Sequence, residues 1–190
     1  MRKVLLFLLI AALGFLALVA LQPSSFEVSR TATLPAPPSV IFPLVNDLHR
    51  WDAWSPWAKL DPHARMTYDG SPAGQGAVCR WSGNAAIGAG KMTITESQPE
   101  TQVRLRLEFV KPFAGKSDQE FDFEPAGAGT RVTWSLSGHN DLLGKAMGLF
   151  TDMDRKLGGD MERGLAGLRA AAATAGATGT VVPAPAAGGR

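Results

Sequence analysis

The longest apolar run in the chain lies at its N-terminus. Residues 4–21 read VLLFLLIAALGFLALVAL, carry no charged or polar side chain, and follow directly after Met1-Arg2-Lys3. A helix of this length reaches about 27 Å at roughly 1.5 Å per residue, which nearly spans the ~30 Å hydrocarbon core of a bilayer. The pattern predicts a transmembrane helix, and we assign residues 1–22 to an N-terminal membrane anchor.

A second interpretation of this segment stays open, because a secretory signal peptide also begins with basic residues and an apolar core. The run is longer than the roughly 7–15-residue core of such a peptide, and no A-x-A pattern precedes a cleavage point. A retained anchor is therefore favoured over a cleaved signal. By the positive-inside rule Arg2 and Lys3 stay in the cytoplasm, so we expect the domain on the periplasmic or other extracytoplasmic side.

Beyond the anchor the hydrophobic period changes from that of a helix to that of strands. Residues 26–34 begin with strict alternation, which is typical of a strand, and residues 39–51 place apolar side chains on one helical face. Strand-like runs then follow at about 65–69, 75–81, 90–96, 102–110, 116–124 and 130–137. Turns rich in Gly and Pro separate them, so the pattern predicts an antiparallel meander. The run at 102–110 is apolar on one side and charged on the other, which predicts one wet face.

The last periodic segment predicts a long helix from about Asn140 to Ala172. Its apolar side chains recur at spacings of three and four, although several glycines interrupt the helix. Gly158-Gly159 marks either a bend or a place where another backbone or a bound molecule comes close. From residue 173 the chain is Ala, Gly, Thr, Val and Pro up to the final Arg190, so we predict one domain over residues 23–172 and a disordered tail over residues 173–190.

Composition removes several classes of function. The net charge is +2 with acidic and basic residues interspersed, which gives no reason to expect a nucleic-acid partner. Cys79 is the only cysteine, so no intramolecular disulfide forms, and we expect it buried on a strand. His49, His63 and His139 lack metal-ligand spacing, and neither a nucleophile elbow nor a nucleotide motif is present. We therefore predict no metal site and no cofactor.

Several short motifs together resemble the START/polyketide-cyclase-like superfamily (SRPBCC), in its membrane-anchored bacterial branch. They are APPSVIF at 36–42, DAWSPW at 52–57, YDG at 68–70 with GQGA at 74–77, WSGN at 81–84 with GAG at 88–90, GTRVTW at 129–134, and Gly158, Glu162 and GLAGL at 164–168. The resemblance covers about residues 26–168. It implies an α+β helix-grip fold, in which a bent antiparallel sheet wraps around the C-terminal helix and leaves a cavity between them.

The resemblance also implies a class of function. Members bind hydrophobic or amphipathic small molecules in the cavity, and some catalyse cyclisation or dehydration, so function has to be argued from the site. Aromatic and aliphatic side chains predict an apolar ligand pocket. The predicted lining is Trp54, Trp57, Trp81, Met92, Phe109, Phe121, Trp134, Met153 and Leu157.

Three hypotheses follow from this pocket. The leading one is a membrane-tethered binding domain for a hydrophobic or lipid-like small molecule, without a catalytic residue. The second is a polyketide cyclase/dehydratase-like enzyme, for which Asp69, Arg80, Glu96 and His139 are the polar residues to inspect. The third is an envelope interaction module whose cavity is filled by its own side chains. The state of the cavity discriminates among them.

Overall fold

A computed structural model describes residues 1–178 of the chain, which form four α-helices and seven strands. The helices are α1 (Arg2–Ala20), α2 (Pro38–Asn46), α3 (Leu142–Gly148) and α4 (Met153–Thr178), with a 3₁₀ helix at Leu48–Ala53. The strands are β1 (Ser25–Leu34), β2 (Arg65–Gly70), β3 (Ala77–Ser82), β4 (Ala89–Gln98), β5 (Gln102–Lys111), β6 (Gly115–Ala126) and β7 (Gly129–His139). Most of the predicted tail lies outside the described residues.

The strands form one seven-stranded antiparallel sheet in the order β1-β7-β6-β5-β4-β3-β2. The predicted meander is therefore confirmed for β2 to β7, and β1 joins beside β7. Halfway along β7, the strand next to edge strand β1, Trp134 lies between Phe121 of β6 and Arg30 of β1. This bent sheet with a long C-terminal helix is the α+β helix-grip fold that the resemblance implied.

The two faces of the sheet differ in polarity. On β5 the side chains of Val103, Leu105 and Leu107 are buried, whereas Arg104 and Arg106 are exposed. We call the first side the inner face and the second the outer face. The outer face carries cross-strand ion pairs that remain open to solvent, so the predicted wet face is confirmed.

Helix α4 lies against the inner face, and its glycines stand where the contact is closest. A Cβ on Gly164 would lie 2.5 Å from the Trp134 ring, and one on Gly167 would lie 2.5 Å from the Trp54 carbonyl oxygen. A Cβ on Gly158 would overlap the Arg30 guanidinium. Of the two interpretations of Gly158-Gly159, close approach applies at Gly158, but the approaching group is the Arg30 side chain of β1 and not the predicted backbone or bound molecule.

The single long helix predicted from Asn140 is wrong, because the segment forms two helices. Asp141 caps α3 by accepting the Gly144 N–H at 2.7 Å, and Asp152 accepts the Arg155 N–H at 2.9 Å at the start of α4. The second cap begins a new helix, since a carboxylate at this position satisfies a donor that the first turn leaves free. At its other end α4 continues past Ala172, the predicted end, to Thr178.

Candidate functional site

Five aromatic rings meet on the inner face about halfway along β6 and β7. We call Trp51, Trp54, Trp57, Phe121 and Trp134 the central cluster. Phe121 and Trp134 stack with ring centroids 4.8 Å apart, and Trp54 and Trp57 meet Trp134 edge-on at 5.8 and 5.6 Å. Phe121, Trp134 and Trp54 are buried, and Trp57 is partly exposed. The cluster fills the space between the sheet and α4 at this level.

Hydrogen bonds fix the orientation of three of these rings. The indole N–H of Trp134 donates to Gln119 Oε1 at 3.0 Å, and the indole N–H groups of Trp51 and Trp54 donate at 2.9 Å to carbonyl oxygens of α2. The 3₁₀ helix that follows α2 carries Trp51 onto the inner face. Sequence reasoning missed Trp51 and Gln119. Gln119 had a signal, since it is a polar residue two positions before Phe121 on an apolar period-two face.

A second aromatic pair lies nearer one end of the sheet. Trp81 of β3 and Phe109 of β5 meet edge-on with centroids 5.7 Å apart, and both are partly exposed. The Trp81 N–H donates to the Ile87 carbonyl at 3.0 Å, so the ring offers only apolar surface. Gly90 lies between the two strands, where a Cβ would come within 2.5 Å of the Trp81 ring. We call Trp81 and Phe109 the mouth pair.

The predicted pocket residues thus fall into separate groups. Trp54, Trp57, Phe121 and Trp134 belong to the central cluster, and Trp81 and Phe109 form the mouth pair. Met92, on β4, is buried. It pairs with Cys79 and Leu107, both on the inner face. Leu157 packs against the core and is partly exposed. Met153, at the start of α4, is also partly exposed.

The polar residues singled out for acid–base chemistry are not on the inner face. Asp69 and Arg80 form an exposed ion pair at 3.1 Å, and Glu96 pairs with Arg104 at 3.1 Å on the outer face. His139 is exposed at the end of β7. None of these groups borders the apolar interior, so none is in position to act on a molecule held there.

Further titratable groups lie near the β2 edge of the sheet. The His49 ring stacks on Tyr68 at 3.9 Å, and its Nδ1 is 3.0 Å from Asp47 Oδ1. Burial, with the nearby Cys79 as a second cause, raises the pKa of Tyr68 to about 12. Burial, reinforced by Asp52, raises the pKa of the Cys79 thiol to about 11. Cys79 is buried as predicted, and it remains a protonated thiol near neutral pH, which is the unreactive form.

One charged side chain does reach the inner face, and it ties the sheet to α4. The Arg30 guanidinium contacts Asp154 at 2.9 Å and Glu162 at 3.0 Å and covers Gly158. Arg30 lowers the pKa of the Asp154 carboxyl through its hydrogen bonds to that group. Sequence reasoning missed this clamp. The one local sign of it is an arginine between Val28 and Ala32 on an otherwise apolar strand face, which does not identify the partner acids.

Two surface clefts formed by the described residues lie away from the predicted pocket. One, of about 470 Å³, is on the outer face among Arg104, Arg106, Asp118 and Glu120. The other, of about 370 Å³, lies beside Leu34 and the β6–β7 turn. Every buried side-chain nitrogen and oxygen of residues 1–178 has a hydrogen-bond partner, and no group of three or more His, Cys, Asp or Glu there could hold a metal ion.

One helix among the described residues, α1, is long and apolar enough to cross a membrane. Its side chains are exposed apart from Val19. This supports the predicted anchor by length and composition, and it applies equally to the signal-peptide alternative.

Comparison with known proteins gives a family and a set of structural neighbours. The family model for polyketide cyclase/dehydrase and lipid transport matches residues 25–173. A Rhizobium leguminosarum protein aligns with a TM-score of 0.56 at 16% identity, covering 79% of this chain and 95% of that one. Ms6760 from Mycobacterium smegmatis aligns at 0.55 and 18%, covering 78% and 91%. Ara h 8.0201 aligns at 0.53 and 15%, covering 83% and 99%. These likenesses show a shared fold alone. No curated protein matches the chain.

Proposed function

Because the chain belongs to the polyketide cyclase/dehydrase and lipid transport family, we propose that its domain binds a hydrophobic, lipid-like small molecule on the inner face of the sheet while α1 holds it at a membrane. The proposed site is the end of the inner face at the mouth pair. The central cluster forms its closed inner wall.

The observation that carries this proposal is the partial exposure of the mouth pair. Trp81 and Phe109 are large rings that stand at the end of a buried apolar face, and the only polar atom of the Trp81 side chain is bonded to Ile87. Behind them lie the buried side chains of Met92 and Leu107. Small-molecule sites commonly have such a lining, with aromatic and aliphatic groups and few polar ones.

The positions of the acids and bases favour binding over a cyclase or dehydratase. Asp69, Arg80 and Glu96 belong to ion pairs outside the interior. Burial raises the pKa of the Cys79 thiol to about 11, which makes the thiolate scarcer near neutral pH than for an ordinary thiol. A general acid or base has to reach the proton that it transfers, and Asp69, Arg80 and Glu96 do not reach the apolar interior.

Full burial of Trp134 and Phe121 supports the alternative function, an envelope interaction module with a filled interior. The two functions differ in what they require of the mouth pair. A binding domain needs these rings to contact a ligand, whereas an interaction module needs them only as a packed edge of the core.

The proposed membrane attachment is supported by α1 and by the two basic residues at its N-terminal end. Arg2 and Lys3 precede the apolar helix, so the positive-inside rule favours a domain on the extracytoplasmic side. N-terminal sequencing of the mature protein tests the tether. A chain that begins near Leu21 or Gln22 would contradict the retained anchor and leave the compartment unchanged.

Extraction of a bound molecule tests the ligand. The full chain is purified in detergent and transferred to nanodiscs, and the organic extract is analysed by mass spectrometry alongside uptake of a fluorescent fatty acid. Phe109→Glu should abolish saturable uptake, because a carboxylate in an apolar site is costly to desolvate. Thr67→Glu adds the same charge on the exposed outer face of β2 and should leave uptake intact.

The result also separates the two functions. Loss of uptake only in Phe109→Glu, with an unchanged circular dichroism spectrum, supports the binding domain. If the wild-type chain neither retains an apolar molecule nor takes up the fatty acid, the proposal is wrong and the interaction module remains.

A further inference from the structure

We propose that the end of the domain from which α1 departs is a membrane-docking surface, and that its occupant is the bilayer in which α1 is inserted. The surface is made by the β5–β6 hairpin together with α3 and the short segment that follows it. Its apolar side chains are Val110, Phe113, Leu142, Leu143, Met147 and Phe150. From here on we call these six the docking surface.

These side chains are exposed to an extent that an aqueous surface does not explain. The exposed fraction is 81% for Phe150, 70% for Leu142 and 58% for Phe113. Single exposed apolar residues are common on soluble proteins, but clustered ones mark an interaction site. Helix α3 contributes three of the six, Leu142, Leu143 and Met147, and has no buried residue. No other part of residues 1–178 therefore buries the apolar side chains of α3.

The sheet register places the hairpin, α3 and the anchor at one end of the molecule. Ser25 at the start of β1 pairs with His139 at the end of β7, and Ser117 near the start of β6 pairs with Gly138. Only residues 21–24 separate α1 from β1. A link of this length reaches at most about 14 Å when fully extended, so a bilayer that holds α1 lies beside this end.

Helix α3 also touches the anchor directly. Lys145 Nζ lies 3.4 Å from the carbonyl oxygen of Ala20, the last residue of α1. Val19 is the one buried residue of α1, with 3% of its surface exposed. The two helices are in contact, so α3 lies at the level where the anchor leaves the hydrocarbon. An apolar helix at that depth has its exposed side chains facing lipid.

Cationic side chains near the same end favour a lipid surface as the occupant. Lys145 lies on α3, Lys111 closes β5, and Lys116 stands near the start of β6. Lysines around an apolar patch attract anionic headgroups and keep their ammonium groups in the interfacial water. The combination of an apolar patch, flanking lysines and a membrane anchor at the same end fits a bilayer better than a soluble protein.

The docking surface and the mouth pair lie next to each other at the same end of the sheet. Phe109 pairs with Gly115 at the start of β6, and Ala89, next to Gly90, pairs with Lys111 at the end of β5. The mouth pair is thus at the docked end of the sheet. This consequence rests on the proposed function: a lipid-like ligand would pass between the bilayer and the inner face without crossing bulk water.

Depth measurements on the full chain test the docking. Phe113→Cys, Met147→Cys and Phe150→Cys are labelled one at a time with a nitrobenzoxadiazole fluorophore in vesicles of phosphatidylcholine and phosphatidylglycerol. Ala128→Cys, in the exposed β6–β7 turn at the opposite end, is the matched control. Cys79 is buried and stays unlabelled. Quenching by brominated lipid is compared with quenching by aqueous iodide.

Bromolipid quenching at the three test positions, with iodide quenching at the control, is the expected result. Equal iodide quenching at all four positions would overturn the docking. Carbonate extraction of the same vesicles reports separately on α1. A chain that resists extraction, but whose labels at the three test positions are quenched by iodide, is anchored by α1 without docking of the domain. The measurement requires no ligand, so its failure leaves the fatty-acid uptake result standing, and failure of uptake leaves this result standing.

Discussion

Removing the indole N–H of Trp134 tests whether the central cluster is a packed core. In Trp134→Phe the remaining ring can still stack on Phe121, but Gln119 Oε1 loses the N–H that it accepts. Gln119 is 3% exposed, so its carbonyl oxygen is then left without this partner in an apolar setting. An orphaned buried acceptor costs about 1–3 kcal/mol of unfolding free energy. The smaller ring adds a cavity cost in the same direction.

The magnitude is large relative to what holds such a domain together. Domains of this size are stable by about 5–15 kcal/mol, so Trp134→Phe should remove a substantial part of that margin. Trp134→Ala, which deletes the whole ring, should cost about 3–5 kcal/mol from packing alone. Gln119→Leu leaves the indole N–H unpaired and should also destabilise the fold. In the double variant Trp134→Phe/Gln119→Leu neither polar group remains.

These variants form a double-mutant cycle of wild type, Trp134→Phe, Gln119→Leu and the double variant. The free energy of unfolding of each is measured by urea unfolding of the full chain in detergent, monitored by far-ultraviolet circular dichroism. The double variant should be more stable than the sum of the single effects predicts, with a coupling of about 0.5–3 kcal/mol. Trp57→Phe changes a partly exposed ring and serves as the control, with a smaller loss expected. Additive effects, or a Trp134→Ala variant as stable as wild type, would refute the packed-core assignment.

Three further predictions concern residues whose surroundings are equally specific. Gly164→Ala should lower the melting midpoint, because the added Cβ would press on the Trp134 indole. Gly159→Ala is the matched control: its Cβ would have its nearest neighbour 3.8 Å away, so the variant should gain up to about 1 kcal/mol of stability from helix propensity. Tyr68 is the only tyrosine, so the absorbance of its tyrosinate form should titrate near pH 12 in the folded chain. Because the folded pKa lies above the ordinary tyrosine pKa of 10.0, the contribution of Tyr68 to stability is complete below pH 10 and is lost as the pH rises toward 12. A titration midpoint at pH 10 would contradict the burial of this side chain. Gly158→Ala should lower the melting midpoint in the wild-type chain and raise it in an Arg30→Ala background, and the same sign in both would show that the guanidinium does not cover this glycine.

The strands were predictable because their signal is local. A strand with one buried face repeats its apolar positions every two residues, so Val103, Leu105 and Leu107 indicate the inner face without knowledge of any partner. The turns between strands contain Gly and Pro at positions that end the pattern. The helix break was harder to predict, because the apolar spacing of three and four continues through residues 149–153. The side chain of Asp152, acting as a cap, marks where α4 begins.

The Arg30 clamp was not predictable from the same patterns, because it depends on the order of the strands and the path of α4. Arg30 and Asp154 are 124 positions apart in the chain, and nothing local to either indicates the other. The central cluster was predictable in part. Aromatic residues on inner-face positions of β6 and β7 follow from alternation, whereas Trp51 enters the cluster through a 3₁₀ helix whose geometry has no period-two or 3.6-residue signal.

The glycines of α4 explain why the proposed site lies at the end of the sheet and not at its middle. Gly164 and Gly167 let the helix backbone approach the Trp134 ring and the Trp54 backbone so closely that no side chain fits between them. Where helix and sheet are in such contact, the central rings fill the remaining space. Toward the mouth pair the apolar face is covered only in part, as the partial exposure of Trp81 and Phe109 shows. The proposed ligand space is therefore limited by how far along α4 the close contact extends, and our proposal places it at the end of the domain that carries the anchor.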